Sequence, residues 1–311
     1  MRSSWLGLFL LLLWSIYLLY SNLGAPVVSD EALYAMVSRN LARGQDWFAL
    51  EYNGQPFYFK PPLHFWLGAL SLRFWGTSEW ALRFPSATLG LCTILLVYAL
   101  GRRLFAHRVG LLAALIASTT YIVLWLARQG KMDVELGFLM NLGFACFILA
   151  FRNGGRRLPH LVAAFLAMAA AVMLKGPVGI LLPGTAGTAY LLITRRKQAW
   201  REGLHLLAGL TLFLAVVAPY YWRMSPEFNR YFFLVENLNR VTEESKPLLY
   251  YCYMAFVEFL PWNIFFPSLA IFYWKRGPRL KGEDDRTLAI WLASFFIFLC
   301  IPSYKEEDFL V

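Results

Sequence analysis

The chain has little charge. Asp, Glu, Lys and Arg make up only 15% of its 311 residues, against 59% hydrophobic residues, whereas a soluble domain carries about 25% charged residues. That deficit leaves no room for a soluble domain of ordinary size. Cysteine is also scarce. Cys92, Cys146, Cys252 and Cys300 all lie inside apolar runs without metal-ligand spacing, so neither a disulfide nor a zinc site is expected. Acid is short relative to base, with 19 Asp and Glu against 29 Lys and Arg and a net charge of +10. No internal repeat is visible. His107, His160 and His205 each lie in or beside a basic loop; His64 stands apart from them and reads more simply as a packed side chain than as a ligand or proton shuttle.

Nine long apolar stretches fill the chain, at about 5–23, 83–101, 109–126, 134–151, 159–174, 177–193, 204–222, 248–274 and 287–302. About 20 apolar residues cross a bilayer, and a helix satisfies its own backbone there, so these predict an all-α polytopic membrane protein. The connecting loops alternate in kind. Arg2 and the loops after the second, fourth, sixth and eighth stretches hold 16 of the Lys and Arg and 4 of the Asp and Glu, leaving 13 and 15 for the rest. This sorting places the N-terminus and the basic loops in the cytoplasm. The basic excess is therefore no nucleic-acid footprint. Aromatics such as Trp5, Trp80, Tyr220, Trp222, Trp262 and Trp274 stand near stretch ends, where interfacial belts form. The first run is longer than a signal-peptide core and lacks a clear cleavage site near Gly24-Ala25, so it is read as a retained anchor.

Polar sequence concentrates in two outward loops, 24–82 and 223–247. In the first, Ser29 is placed to cap a helix that starts at Asp30-Glu31 and stops at Gly44. Its Leu33, Met36, Val37 and Leu41 share one face, as in a helix lying at the membrane surface. Residues 48–59 predict a hairpin turning at Asn53-Gly54. The 63–75 segment, only 13 residues long, predicts a second interfacial helix. If it crossed, every later loop would change sides and the charge sorting would vanish.

Ionisable residues at the outward border are the candidates for chemistry, since a charge at membrane depth costs about 2.5–3.5 kcal/mol and tends to face a polar cavity. They are Asp30, Glu31, Lys60, Arg128, Lys131, Asp133, Lys175, Glu236, Arg240 and Lys305. Each has a plainer reading: Asp30 and Glu31 as helix-start acids, Lys60 as a snorkelling anchor, Asp133 as partner of Lys131 or Arg128, and Glu236 with Arg240 as a helical pair. For Lys175 the plainer reading is a hairpin boundary. Together, several cations and a few carboxylates on one face suit a lipid phosphate and a proton acceptor for a hydroxyl.

The order Asp30-Glu31-Ala-Leu-Tyr34-Ala, Phe57-Tyr58-Phe59-Lys60-Pro61-Pro62, Asp133, Leu174-Lys175-Gly176-Pro177 and Tyr231-Phe232-Phe233-Leu-Val-Glu236-Asn-Leu-Asn-Arg240 resembles the GT-C membrane glycosyltransferases of the aminoarabinose transferase and protein O-mannosyltransferase group. Leu260-Pro261-Trp262 and Ser303-Tyr304-Lys305 continue the likeness, which covers the whole chain. The resemblance implies inverting transfer of a sugar from a polyprenyl-phosphate donor to an acceptor on the periplasmic or lumenal face, the acceptor being a lipid A-like glycolipid or a protein hydroxyl. It implies Asp30 as catalytic base, Asp133 as its assistant, and Lys60, Arg240 and Lys305 as holders of the donor phosphate. Glu31, Tyr34, Tyr58, Arg128, Lys175 and Glu236 are weaker substrate-binding candidates. Should the sugar carry an amine, Glu31 or Glu236 is available to face it. Many relatives have Glu where Phe59 stands, so no metal ligands are assigned, and a divalent cation stays an open question. Relatives also often have Tyr where Phe309 stands. The bacterial inner membrane is the expected location. Because family members are longer, the chain is expected to be a C-terminally truncated piece. The alternatives are a lipid-linked glycan ligase or a lipid or solute transporter; a transporter would keep its charges near the midplane and show repeated halves.

Overall fold

The computed structural model describes residues 2–27, 30–152, 157–194, 203–238, 250–276 and 282–300. It is a bundle of helices with one two-stranded ribbon. Helix α1 (Arg2–Tyr20) is followed by α2 (Asp30–Ala42), the ribbon β1 (Glu51–Tyr52) with β2 (Gln55–Pro56), and α3 (Leu63–Trp75). Then come α4 (Glu79–Leu104), α5 (His107–Thr119), α6 (Tyr121–Ala127), α7 (Asp133–Phe151), α8 (Arg157–Lys175), α9 (Val178–Thr194) and α10 (Gly203–Arg223). Beyond it lie the short α11 (Pro226–Arg230), a π-helical stretch (Tyr231–Leu238), α12 (Tyr250–Glu258), a 3₁₀ turn (Trp262–Phe265), α13 (Phe266–Arg276) and α14 (Glu283–Cys300).

Helices α4, α7, α8 and α10 are each long and apolar enough to cross a membrane, and the pair α5–α6 makes a fifth candidate if its two parts count as one span. The side chains on their outer faces are apolar and open: Leu204 is 81% and Trp222 92% exposed. This suits lipid as the surrounding solvent.

Two runs expected as single helices are broken. The 109–126 run bends by 62° between α5 and α6. Thr120 is extended there, at φ −73° and ψ 129°, and the freed Tyr121 N–H donates to Leu260 O at 2.9 Å. The 248–274 run divides into α12 and α13 around Pro261 and the 3₁₀ turn. Proline has no N–H to offer an upstream turn, which accounts for the interruption.

The first outward loop folds much as its pattern predicts. Asn53 and Gly54 have positive φ, 50° and 72°, and Glu51 pairs with Pro56 and Tyr52 with Gln55, the primed turn that Asn-Gly favours. Helix α2 ends at Ala42, with Gly44 at φ 108° just beyond. The expected Ser29 cap lies outside the described residues. Val37 and Leu41 are fully buried, against Phe65 and Ala69 of α3. Met36, expected on the same face, is exposed, because the apolar stripe of α2 covers α3 and is narrower than four positions. Helix α3 is thereby clamped under α2, with Trp66 Nε1 donating to Trp47 O at 2.7 Å.

Small residues let the long helices approach closely, as membrane bundles require. At the α4–α5 crossing, a Cβ on Gly110 would stand 2.5 Å from Tyr98 O. At the α8–α9 hairpin, one on Gly179 would stand 2.4 Å from the carbonyl carbon of Ala171. Gly176, at φ 91°, makes that hairpin tight enough to hold Lys175 at the bundle's end.

Candidate functional site

The polar side chains sort to the two ends of the bundle. One end carries an Arg152–Asp284 ion pair and a bond from Tyr190 OH to Glu283 Oε1 at 2.8 Å. The other gathers the starts of α2, α3, α4 and α7 and the end of α8, and most of the candidate residues lie there.

Asp133 opens α7 and is buried. Its Oδ1 accepts from Lys175 Nζ at 2.5 Å. Of the partners considered for Asp133, Lys131 instead reaches over the Trp125 ring, 5.4 Å from its centroid. Lys175, at the last residue of α8, is thus drawn into the site by the Gly176-Pro177 turn. A carboxylate at the positive end of a helix and an ammonium at the negative end of its neighbour both sit where helix dipoles favour them.

Lys60 Nζ meets Glu236 Oε2 at 3.1 Å. This bond joins the two outward loops across 176 residues. The same seam carries aromatic pairs: Phe59 on Tyr231 at 5.3 Å and Tyr58 on Phe228 at 5.8 Å between centroids. Glu236 lies in the π-helical stretch, and the second outward loop is not a regular α-helix at that point. Arg240 and Lys305 lie outside the described residues. The backbone of Asp30 opens α2, but its side chain also lies outside the description.

Two carboxylates are engaged inside the fold, and one was read differently from sequence. Glu31, a weaker substrate-binding candidate, is buried and fully occupied. Its Oε1 accepts from Arg83 Nε at 2.6 Å and from Gly130 N at 2.7 Å, and its Oε2 from Arg83 Nη2 at 2.7 Å. The same guanidinium donates to the carbonyls of Leu23, Ala25 and Pro26. Glu31 and Arg83 therefore staple the first loop to α4 and to the turn before α7. Arg128 is also a staple. Its Nε donates to Leu18 O at 2.7 Å and its Nη2 to Ser21 Oγ at 3.0 Å, capping the end of α1.

The other carboxylate, Glu135, escaped the sequence reading. It is fully buried in the first turn of α7 and accepts from His64 at 3.0 Å and from Ser86 Oγ at 2.8 Å. His64 Nε2 faces Gly130 O, also at 3.0 Å. Both ring nitrogens therefore meet acceptors, which only an imidazolium can satisfy. Burial pulls the His64 pKa down, but the Glu135 charge and hydrogen bond, the Gly130 carbonyl and Asp133 outweigh it, and the net shift is upward. Tyr34 packs edge-on to His64 at 5.5 Å and to Phe65 at 5.6 Å. The signal that could have found this pair was Glu135 itself, an acid inside an apolar run.

These contacts bring Glu31, Lys60, Tyr34, Arg128, Asp133, Lys175 and Glu236 to one border of a helical membrane bundle, with paired cations and carboxylates facing one another. That arrangement, on this fold, defines an integral membrane protein of the GT-C type. A family model described as dolichyl-phosphate-mannose-protein mannosyltransferase matches residues 59–222, over half of the chain, and the chain belongs to this family.

Its relatives point to a narrower branch. It is 29% identical over 306 residues to an uncharacterized protein of Aquifex aeolicus, covering 96% of this chain and 60% of that one. It is 27% identical over 296 residues to the undecaprenyl phosphate-alpha-4-amino-4-deoxy-L-arabinose arabinosyl transferase of Pseudomonas paraeruginosa, covering 91% and 53%. The crystal structure of ArnT from Cupriavidus metallidurans in the apo state superposes with a TM-score of 0.85 at 27% identity, covering 99% of this chain and 57% of that one. The same protein bound to undecaprenyl phosphate gives 0.82 at 28% identity, covering 98% and 56%. An Archaeoglobus fulgidus oligosaccharyltransferase, at 15% identity and a TM-score of 0.59, shares the fold. The chain thus spans little more than half the length of most of these relatives.

Proposed function

We propose that this chain carries the membrane-embedded reaction site of an inverting glycosyltransferase that moves a sugar from a polyprenyl-phosphate donor to an acceptor hydroxyl on the outward face of a bacterial inner membrane. The observation that supports it most directly is the Lys60–Glu236 bond at 3.1 Å beside the Asp133–Lys175 pair: two cations with carboxylate partners at the level where a lipid phosphate would lie. The names of the relatives supply the donor class, and the solved relative bound to undecaprenyl phosphate supports it.

The reaction is a single displacement. The acceptor hydroxyl gives its proton to the Asp30 carboxylate and its oxygen attacks the anomeric carbon. The bond from that carbon to the phosphate oxygen breaks, and polyprenyl phosphate leaves with the electron pair. Lys60, Arg240 and Lys305 stabilise the charge that grows on the leaving oxygen, and Asp133, held by Lys175, assists the base. Electrostatic stabilisation of this kind is usually the largest single contribution to such a step. Glu31 is consumed by Arg83 and Gly130, so an amine on the sugar would be met by Glu236, whose Oε2 is held by Lys60.

The test is sugar transfer by the full-length protein from a labelled undecaprenyl-phosphate sugar. Asp30→Asn should lower kcat by about 10²–10⁴-fold, and Lys60→Ala by about 10²–10³-fold. Near-wild-type turnover in Asp30→Asn would remove it from the role of base. A donor that is relocated across vesicles without being consumed would favour a transporter.

A further inference from the structure

The outward end of the bundle carries the pairs Glu31–Arg83, Lys60–Glu236, Asp133–Lys175 and His64–Glu135. The proposed reaction draws on Lys60–Glu236 and Asp133–Lys175, and Glu31–Arg83 staples the first loop to α4. His64–Glu135 has no task in it, although His64 is only 3% exposed and Glu135 fully buried. A buried ion pair is weak evidence for stability, because apolar residues of similar size often serve as well. What the pair connects is therefore more telling than what it stabilises.

It connects two sides of the site. On one side, His64 stands in the first turn of α3, four residues after Lys60. Between them lie Pro61 and Pro62, both buried, whose rings fix φ, so Lys60 is joined stiffly to the imidazole. On the other side are the two acceptors of His64, and they flank Asp133. Glu135 follows it in the first turn of α7, and Gly130 precedes it in the turn that leads into that helix. Ser86 of α4 places its Oγ 2.8 Å from Glu135 Oε1 and 3.3 Å from Lys131 O, so the segment around Asp133 is held from both α3 and α4.

This hold depends on the charge of the ring. A neutral imidazole has one donor. Without its second proton, His64 would turn a lone pair on Glu135 or on the Gly130 carbonyl, and one of its two bonds to the segment would be lost. The groups that face His64 are Glu135 and Asp133 from α7, the Gly130 carbonyl, and Tyr34 from α2, edge-on at 5.5 Å. The Glu31–Arg83 pair of α2 and α4 meets Gly130 from its N–H side. Lys175 of α8 lies beyond Asp133, and Lys131 lies over Trp125. Burial lowers the His64 pKa, and Glu135, the Gly130 carbonyl and Asp133 together outweigh it, so the shift is upward.

We infer that His64 is a positioning residue for sugar transfer: as an imidazolium bonded to Glu135 and Gly130, it fixes Lys60, where the donor phosphate would lie, relative to Asp133, and transfer runs only while the ring is charged. The inference rests on the glycosyltransferase reading and adds to it a buried proton on which turnover depends. A misplacement of about 1 Å costs about 10²-fold in rate, so the effect belongs in kcat.

The experiment assays the full-length protein with a labelled undecaprenyl-phosphate sugar as donor and lipid A as acceptor. The double variant His64→Leu with Glu135→Leu removes both charges and should keep most of the wild-type Tm. Its kcat should nevertheless stay about 10²-fold low, with the donor KM changed less than about threefold. A merely structural pair would give kcat back together with Tm. The second readout is the pH profile. Wild-type kcat should fall as pH rises above about 6.5 through the higher folded value of His64. His64→Gln keeps an amide donor without the charge and should lack that alkaline limb. Wild-type kcat in a double variant of restored Tm overturns the inference. So does a wild-type profile without the limb, or a limb that survives in His64→Gln. Each of these leaves the transferase reading standing. Should the double variant stay unstable, the His64→Gln profile alone decides. A wild type that consumes no donor overturns the transferase reading, and the role of His64 in transfer with it.

Discussion

His64 is the residue whose surroundings dictate most about its state. An imidazole between a carboxylate and a carbonyl, both within 3.0 Å, must donate from both nitrogens, so it carries a proton and a charge. Removing one member of a buried pair strands the other, at a cost of about 3–5 kcal/mol, whereas replacing both by apolar residues is far milder. His64→Leu should therefore lower Tm sharply, and His64→Leu with Glu135→Leu should recover most of the loss. A double variant no more stable than the single one would show that the pair is not coupled. The pH dependence follows from the upward shift. The pair's contribution is fully present below the ordinary histidine value of about 6.5 and is lost as pH rises through the higher folded value. Tm of the wild type should therefore decline on the alkaline side of 6.5, and His64→Gln should flatten that slope. From the sequence, His64 reads as a packed histidine, which is half of the truth. It is packed, but as one member of an ion pair whose other member lies 71 residues away. No local pattern encodes that distance, and Glu135 was overlooked because its neighbours are apolar.

The elements were legible wherever a single local rule decided them. The Asn53-Gly54 hairpin, the stop of α2 before Gly44 and the 13-residue α3 all follow from turn chemistry and apolar period. The breaks at Thr120 and Pro261 were not legible, because hydropathy averaged over a window cannot see a kink. The bond from Tyr121 N to Leu260 O stabilises one break with the residue beside the other, a tertiary fact. The closeness of the helices also depends on pairs of distant residues. Gly110 has no free space for a side chain, since Tyr98 O and Arg102 N would lie 2.5 and 2.7 Å from its Cβ. Both are backbone atoms, so relief requires moving a helix. Gly110→Ala should cost about 1–3 kcal/mol, as overpacking does. Gly203→Ala is the control, since nothing lies within 4 Å of its Cβ, and it should leave Tm unchanged or higher. Equal Tm values for the two variants would mean that the α4–α5 crossing yields easily.

At the scale of the whole molecule the governing feature is polarity between the two ends of the bundle. The charge count in the loops predicts a cytoplasmic basic end, and the contacts divide between the two ends of the bundle. Arg152–Asp284 and Tyr190–Glu283 lie at one end, while His64–Glu135, Glu31–Arg83, Asp133–Lys175 and Lys60–Glu236 lie at the other. Lys60, Asp133, Lys175 and Glu236 are brought there by helix ends and outward loops far apart in sequence, so the site depends on every crossing having the right direction. Were α3 a span, α4 and all later helices would be inverted, and Lys60 would lie across the membrane from Asp133. The sidedness can be read directly with single cysteines. Thr77, exposed between α3 and α4, and Ala106, exposed between α4 and α5, flank one span. The native Cys92 and Cys146 lie within helices and are only partly exposed. In intact spheroplasts a membrane-impermeant maleimide should label Thr77→Cys and spare Ala106→Cys until the membrane is opened. The reverse pattern would place the clustered acids and cations on the cytoplasmic face, where a donor presented from outside could not reach them. Labelling of both sites in sealed spheroplasts would mean that α4 does not cross at all.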